Sequence, residues 1–187
     1  MEKIPTIFER DWNGNRAVIN QVIKEIPVDA IATEKLDGTN IRVTVRNKMV
    51  VRVEKRRNPD KIQKAKGVVD PWYVDASEFE QGDKWIMDAV KNTDYSAIPD
   101  GEWSGEAVGK NIQGNELGLD KNIVVFFSLG QCPVFENCPT DYEGLKAWLP
   151  AQKSKYGTAG IEGIVWWKDG EPIGKIKVKD FKADTRL

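Results

Sequence analysis

Asn40-Ile41-Arg42-Val43-Thr44-Val45-Arg46-Asn47-Lys48-Met49-Val50-Val51-Arg52-Val53 is the stretch whose reading decides the fold. Ile41, Val43 and Val45 alternate with polar residues, the period-two pattern of a strand with one buried face. The Asn47-Lys48 step leads into a second β-branched run, so the stretch reads as a β-hairpin. Residues 161–167 and 172–179 flank Lys168-Asp169-Gly170-Glu171 and predict a second hairpin. Residues 123–129 read as an apolar strand buried on both faces. Helical spacing places Val18, Ile19, Val22, Ile23 and Ile26 on one side of residues 16–26. Ser77-x-x-Glu80 is a capping box opening a helix with Phe79, Trp85, Ile86, Ala89 and Val90, its first turn weakened by Gly82. Thr140-x-x-Glu143 opens a short helix with Leu145, Trp148 and Leu149. Strands outnumber helices and short turns join several of them. The prediction is an α+β chain with largely antiparallel β-sheets and flanking helices.

The chain has 187 residues, no repeat and no low-complexity linker, which predicts a single domain over 1–187. The absence of histidine excludes more chemistry than any residue present adds. It removes Ser-His-Asp and Cys-His nucleophile systems, an imidazole base and His-ligated zinc. Cys132 and Cys138 cannot build a four-thiolate metal site and read as reduced thiols. The N-terminus lacks a signal-peptide layout, and the longest apolar run, residues 123–127, is far short of a membrane span. A soluble, cytoplasmic protein is expected.

The net charge of −1 hides an uneven distribution. Residues 42–66 hold ten basic side chains and two acidic ones, while residues 68–106 hold ten acids against Lys84 and Lys91. Such blocks fit two solvated faces, or a polyanion-binding surface beside metal-binding carboxylates.

Gly105-Glu-Ala-Val-Gly109-Lys110 imitates a P-loop but is one residue short, and Asn111 stands where Ser or Thr is needed. Glu34-Lys35-Leu36-Asp37-Gly38-Thr39-Asn40 is more informative. It holds a lysine just before a glycine turn and a strongly patterned strand. A solvated strand-end lysine is one reading; the other is a nucleophile attacking an α-phosphate. For that the amine must lose its proton, which from the reference pKa costs about 4 kcal/mol at about pH 7.4. Nearby cations and a metal lower that cost, so further lysines and acids are expected elsewhere in the chain.

Lys35-Leu36-Asp37-Gly38 resembles the Lys-x-Asp-Gly nucleophile motif of the covalent nucleotidyltransferase superfamily, the ATP-dependent RNA and DNA ligases and mRNA capping enzymes. Lys55-Arg56-Arg57-Asn58 lies where those enzymes carry a phosphate-contacting arginine, which points to Arg57 with Arg56 as its alternative; Pro59 departs from the glycine many relatives have. Gly105-Glu106, followed by Ile112-Gln113-Gly-Asn115, is similar to the motif whose acid bonds the ribose, with Glu102 as a competing candidate. Residues 122–129 resemble the strand whose aromatic stacks on adenine, selecting Phe126 with Phe127 as alternate, although an aromatic in a strand is ordinarily core. Ile161-Glu162-Gly163 resembles the motif whose glutamate supports the metal or substrate. Ile176-Lys177-Val178-Lys179-Asp180 resembles the Lys-x-Lys motif that meets the α-phosphate. Residues two apart on a strand share a face, so Lys177 and Lys179 are expected to emerge together, with Lys175 as a register alternative. Each motif alone fits a solvated edge strand; five in order are much harder to assign to that common cause.

Glu34-Lys35 with Gly38-Thr39-Asn40 is closest to the RNA ligase 2 type. The resemblance implies an ATP-grasp-like ligase nucleotidyltransferase domain, and the chain ends eight residues after Lys179, leaving no room for an appended OB-fold. It implies Lys35, Lys177 and Lys179 as catalytic groups, and Glu34, Asp37, Gly38, Asn40, Arg57, Glu106, Phe126 and Glu162 as nucleotide-binding ones. Glu162 and Asp37 would serve Mg²⁺ or Mn²⁺. The implied activity is ATP-dependent RNA ligation through lysyl-AMP at RNA ends or a nicked duplex, with a helper protein supplying further grip. A minimal DNA ligase, a capping-type guanylyltransferase and a non-catalytic ATP- or RNA-binding module are the alternatives.

Overall fold

The computed structural model describes residues 3–183. The chain is α+β, with antiparallel sheets and few helices. It divides into two compact units, one built on Asp37–Cys132 and the other on Ile4–Leu36 with residues 133–183.

The first unit is a five-stranded antiparallel sheet. Its strands are β4 (Thr39–Arg46), β5 (Met49–Arg57), β6 (Trp72–Asp75), β7 (Gly101–Val108) and β8 (Ile123–Phe126), in the order β6-β5-β4-β7-β8. The hairpin between β4 and β5 turns through Asn47 and Lys48, both at positive φ, the geometry a two-residue connection requires. Alternation on β4 does what its pattern predicts. Ile41, Val43 and Val45 are fully buried beside Val53, Ala107, Val124 and Phe126. Ile86, Ala89 and Val90 of helix α2 (Lys84–Lys91) join the same core.

The other face of this sheet is polar. Arg42 donates twice to Glu54, at 2.7 and 2.8 Å, and its guanidinium lies 4.6 Å from the centre of the Tyr73 ring. Helix α1 (Lys61–Ala65) is a single short turn and buries no residue. The P-loop imitation lies largely on β7, as extended backbone that offers no phosphate cradle.

The second unit contains β1 (Phe8–Arg10) paired with β2 (Val18–Val22). It also holds a three-stranded antiparallel sheet of β3 (Ile31–Lys35), β9 (Gly163–Lys168) and β10 (Glu171–Lys177), ordered β10-β9-β3. Helix α3 (Tyr142–Trp148) contributes Leu145 to a core with Phe8, Val18, Ile164, Trp166 and Ile176. Asp169 and Gly170 make the predicted turn of the second hairpin, both at positive φ.

Three local expectations are corrected. Residues 16–26 contain strand β2, at Val18–Val22, and no helix. The β-branched Val18, Ile19 and Val22 favour extended backbone, and pairing with β1 outweighs the helical spacing. Only Val18 of that set is buried, so the periodicity marked no buried helical face. Ser77 caps no helix: its hydroxyl accepts from the Phe79 N–H at 3.3 Å, Phe79 is exposed, and α2 begins at Lys84, beyond Gly82. In α3 the N-cap is Asp141, one residue after Thr140, its carboxylate accepting from the Gly144 N–H at 2.8 Å. Cys132 and Cys138 form no disulfide among the described residues, and burial pushes Cys138 up to about 12. Among the described residues no helix is long and apolar enough to cross a membrane.

Candidate active site

In the second unit, β9 is the middle strand and pairs with β3 and β10 on its two sides. Gly163 pairs with Lys35 of β3 on one side and with Lys177 of β10 on the other. Directly paired residues share a face, so two lysines flank a position with no side chain. The gap is obligatory: a Cβ on Gly163 would overlap the Ile176 carbonyl oxygen and lie 2.7 Å from the Lys177 Cα. Into this row reaches Glu162, whose Oε2 accepts from Lys35 Nζ at 2.6 Å and whose Oε1 pairs with Lys177 Nζ at 2.5 Å. Burial would raise the Glu162 carboxyl, but the charges and hydrogen bonds of the two lysines outweigh it and hold the group below its ordinary value.

Lys175 lies on the same face one row along, paired with Val165, whose other partner is Thr33. Burial, together with the charges of Lys177 and Lys35, lowers its amine to about 8.

Lys179 is a correction to the expected geometry. Strand β10 ends at Lys177, and Val178–Phe181 is a 3-10 turn. The turn is held by Asp180, whose Oδ2 accepts from the Lys177 N–H at 2.8 Å and whose Oδ1 takes Arg10 at 2.5 Å. Lys179 is therefore exposed on a turn, and the pair two apart on one strand face is Lys175 and Lys177.

Glu34 is also placed differently from the expectation. It leaves β3 on the face opposite Lys35, beside Ile164 of β9, and is almost fully buried. Its Oε2 accepts from the Lys155 N–H at 3.1 Å, while Oε1 has no hydrogen-bond partner among the described residues. Burial raises its pKa against the opposing hydrogen bonds from Ser154 and Lys155. Strand alternation separates it from the lysine group, and it adjoins Lys35 only through the backbone.

The remaining sequence candidates lie in the first unit. Asn40 and Glu106 are ladder partners on the polar face, and Tyr73 donates to the Asn40 Oδ1 at 2.7 Å. Gly38 has to be glycine: a Cβ there would overlap the Ala107 carbonyl oxygen and lie 2.9 Å from the Glu106 Cγ. Arg57 ends β5 exposed, whereas Arg56 is half-buried opposite Tyr73. Glu102 pairs with Thr44, farther along β7 from Gly38 than Glu106 is. Phe126 is overturned as a stacking residue. It is fully buried, edge-on to Tyr95 at 6.2 Å, so its ring faces are occupied by core. Phe127, the next residue, is half-buried.

Among the described residues the protein preforms no metal cage of its own, and Mg²⁺ ordinarily needs only one or two carboxylates besides substrate phosphates. No group of three or more His, Cys, Asp or Glu side chains comes together among the described residues. Both oxygens of Glu162 are engaged by ammonium groups.

Sequence reasoning missed the roles of Gly163 and Tyr73 and the Arg10–Asp180 tie. Gly163 was legible as half of the Glu-Gly pair; Arg10 carried no local signal, since its partner is 170 residues away.

No family model matches the chain, and no curated protein matches it. Among solved structures it is similar to RNA ligase R4a of Naegleria gruberi in an apo mutant form, with a TM-score of 0.49 and 14% identity over 97% of this chain. The chain spans 62% of the length of that structure.

Proposed function

We propose that the chain is an ATP-dependent RNA ligase acting through a covalent lysyl-AMP, with residues 1–187 forming its adenylation domain. The observation that carries this reading is the Lys35–Glu162–Lys177 bridge across Gly163. It gathers a motif nucleophile at the end of β3, a motif carboxylate just before β9 and a motif cation at the end of β10.

The neutral amine of Lys35 attacks the α-phosphorus of ATP. A P–N bond forms, the P–O bond to pyrophosphate breaks, and the amine proton passes to solvent. Lys177, with Lys175 beside it, opposes the negative charge that builds on the α-phosphate oxygens, the dominant catalytic term in such transfers. Glu162 holds both amines in place before ATP arrives. The resemblance assigns the ribose to Glu106 and phosphate contact to Arg57; with Phe126 in the core, the base falls to its alternate, Phe127. A 5′-phosphate oxygen then displaces Lys35 from the adenylate, and a 3′-hydroxyl attacks the activated 5′-phosphorus with release of AMP.

Incubation with α-labelled ATP in Mg²⁺ buffer tests the first step. Wild type should retain label on the denatured chain, and Lys35→Ala should not. Equal labelling of the two would end the proposal. Labelling by GTP in place of ATP would move the assignment to capping-type chemistry, and a nicked duplex with RNA or DNA at the 3′-hydroxyl side separates RNA from DNA sealing.

A further inference from the structure

The basic side chains of residues 42–66 include a paired group and an unpaired one. Arg42, Arg52 and Lys55 are neutralised inside the first unit: the arginines pair with Glu54, Arg52 also with Asp75, and Lys55 with Asp83 at 2.5 Å and Glu80 at 3.1 Å. Arg56, Arg57, Lys61, Lys64 and Lys66 make no ion pair among the described residues. The acid among them, Asp60, is committed to its own helix. Its Oδ1 accepts from the Gln63 N–H at 2.7 Å, and its N–H donates to Gln63 Oε1 at 2.9 Å.

Position sharpens the contrast. Lys61 and Lys64 stand three apart on α1, hence on one face of the turn, with exposed Lys66 at its C-cap. Trp72 of edge strand β6 is the ladder partner of Arg57, which sets a half-buried indole beside an exposed guanidinium. Unpaired cations in a row neutralise phosphates, and an aromatic next to an arginine offers a stacking surface that any base fits. One turn of helix presents much less apolar area than an interfacial helix lays on a bilayer.

We propose that residues 56–66 with Trp72 form a docking strip for the phosphate backbone of a single-stranded polynucleotide. The kind of polyanion rests on the ligase reading above; the strip itself rests on the unpaired charges. Arg42, Arg52 and Lys55 contribute nothing to it because their charge is already answered.

The test is binding of 5′-phosphorylated, fluorescently labelled single-stranded RNA to the full chain across a salt series. Lys61→Gln/Lys64→Gln/Lys66→Gln should weaken binding at least tenfold and make the log affinity–log salt slope shallower by about 2, since each phosphate contact on a single strand contributes about 0.7. The triple Lys→Arg variant should bind like wild type. Self-adenylylation with labelled ATP should be unchanged in both. Unaltered affinity and slope in the Gln variant would overturn the strip, as would binding to phosphatidylserine vesicles with none to RNA. A wild type that forms no adduct but loses RNA with these lysines would remove the ligase reading and leave the strip standing.

Discussion

Lys35 Nζ lies 2.6 Å from Glu162 Oε2 across a 127-residue separation in sequence, and the other oxygen of the same carboxylate holds Lys177. Two cations on one half-buried face would repel each other. Their shared anion lets both occupy it, and the lysines in turn hold Glu162 ionised against the effect of burial. The bridge exists because Gly163 lets β3 and β10 bring their lysines to either side of it.

Replacing Glu162 by Gln should therefore reduce adenylylation through both lysines at once. Hydrogen bonds to charged groups contribute about 1.5–3 kcal/mol, so the rate of adduct formation should fall roughly 10- to 100-fold while the fold persists. Single-turnover labelling with a circular dichroism control measures both, and an undiminished rate would show that the bridge is only structural.

Gly163→Ala should be far more damaging than its single methyl suggests. The added Cβ meets backbone, which cannot rotate away, so β9 and β10 have to separate. Overpacking of this kind costs about 1–3 kcal/mol, and the displacement also parts Lys177 from Glu162. A lower melting temperature together with lost adduct is the expected pair of results; an unchanged melting temperature would contradict the close strand approach.

Lys175 sets a pH dependence whose sign follows from its lowered amine. Folded, it titrates near 8; unfolded, it returns to its ordinary 10.5. Between those values the unfolded chain holds a proton that the folded chain has released, so this residue's contribution to stability rises with pH. Lys175→Met should be more stable than wild type at pH 7, with the difference closing as pH approaches 10.5. A difference that stays constant across urea melts in that window would rule out the lowered amine.

The adjacent phenylalanines should separate cleanly. Phe126→Ala removes a fully buried ring and should cost about 3–5 kcal/mol of stability. Phe127→Ala should leave stability closer to wild type and raise the ATP concentration needed for half-maximal adenylylation. Denaturant melts and an ATP titration distinguish them, and the reverse pattern would restore Phe126 as the base-stacking residue.

Hairpins were legible because their causes are local. Asn47-Lys48 and Asp169-Gly170 dictate tight turns, and the alternation on β4 names its buried face before any partner is known. Residues 16–26 misled because apolar spacing reports a face only where that face is buried, and Ile19, Val22 and Ile23 are exposed. Lys179 misled because periodicity extended the strand to that residue, whereas the next one, Asp180, is held by Arg10 and closes a turn there.

By itself the sequence determined the chemistry available: no imidazole, a lysine before a glycine turn, and distant glutamate and lysine motifs in a fixed order. It also determined antiparallel strands, because turn residues and period-two burial act between near neighbours. Only the tertiary structure decided that Lys177 and Lys175 share a face with Lys35, that Glu34 turns to the other side, and that Phe126 belongs to the core. Those outcomes depend on which strands pair and in what register, and pairing is settled by the burial of whole faces, which no short window of sequence contains.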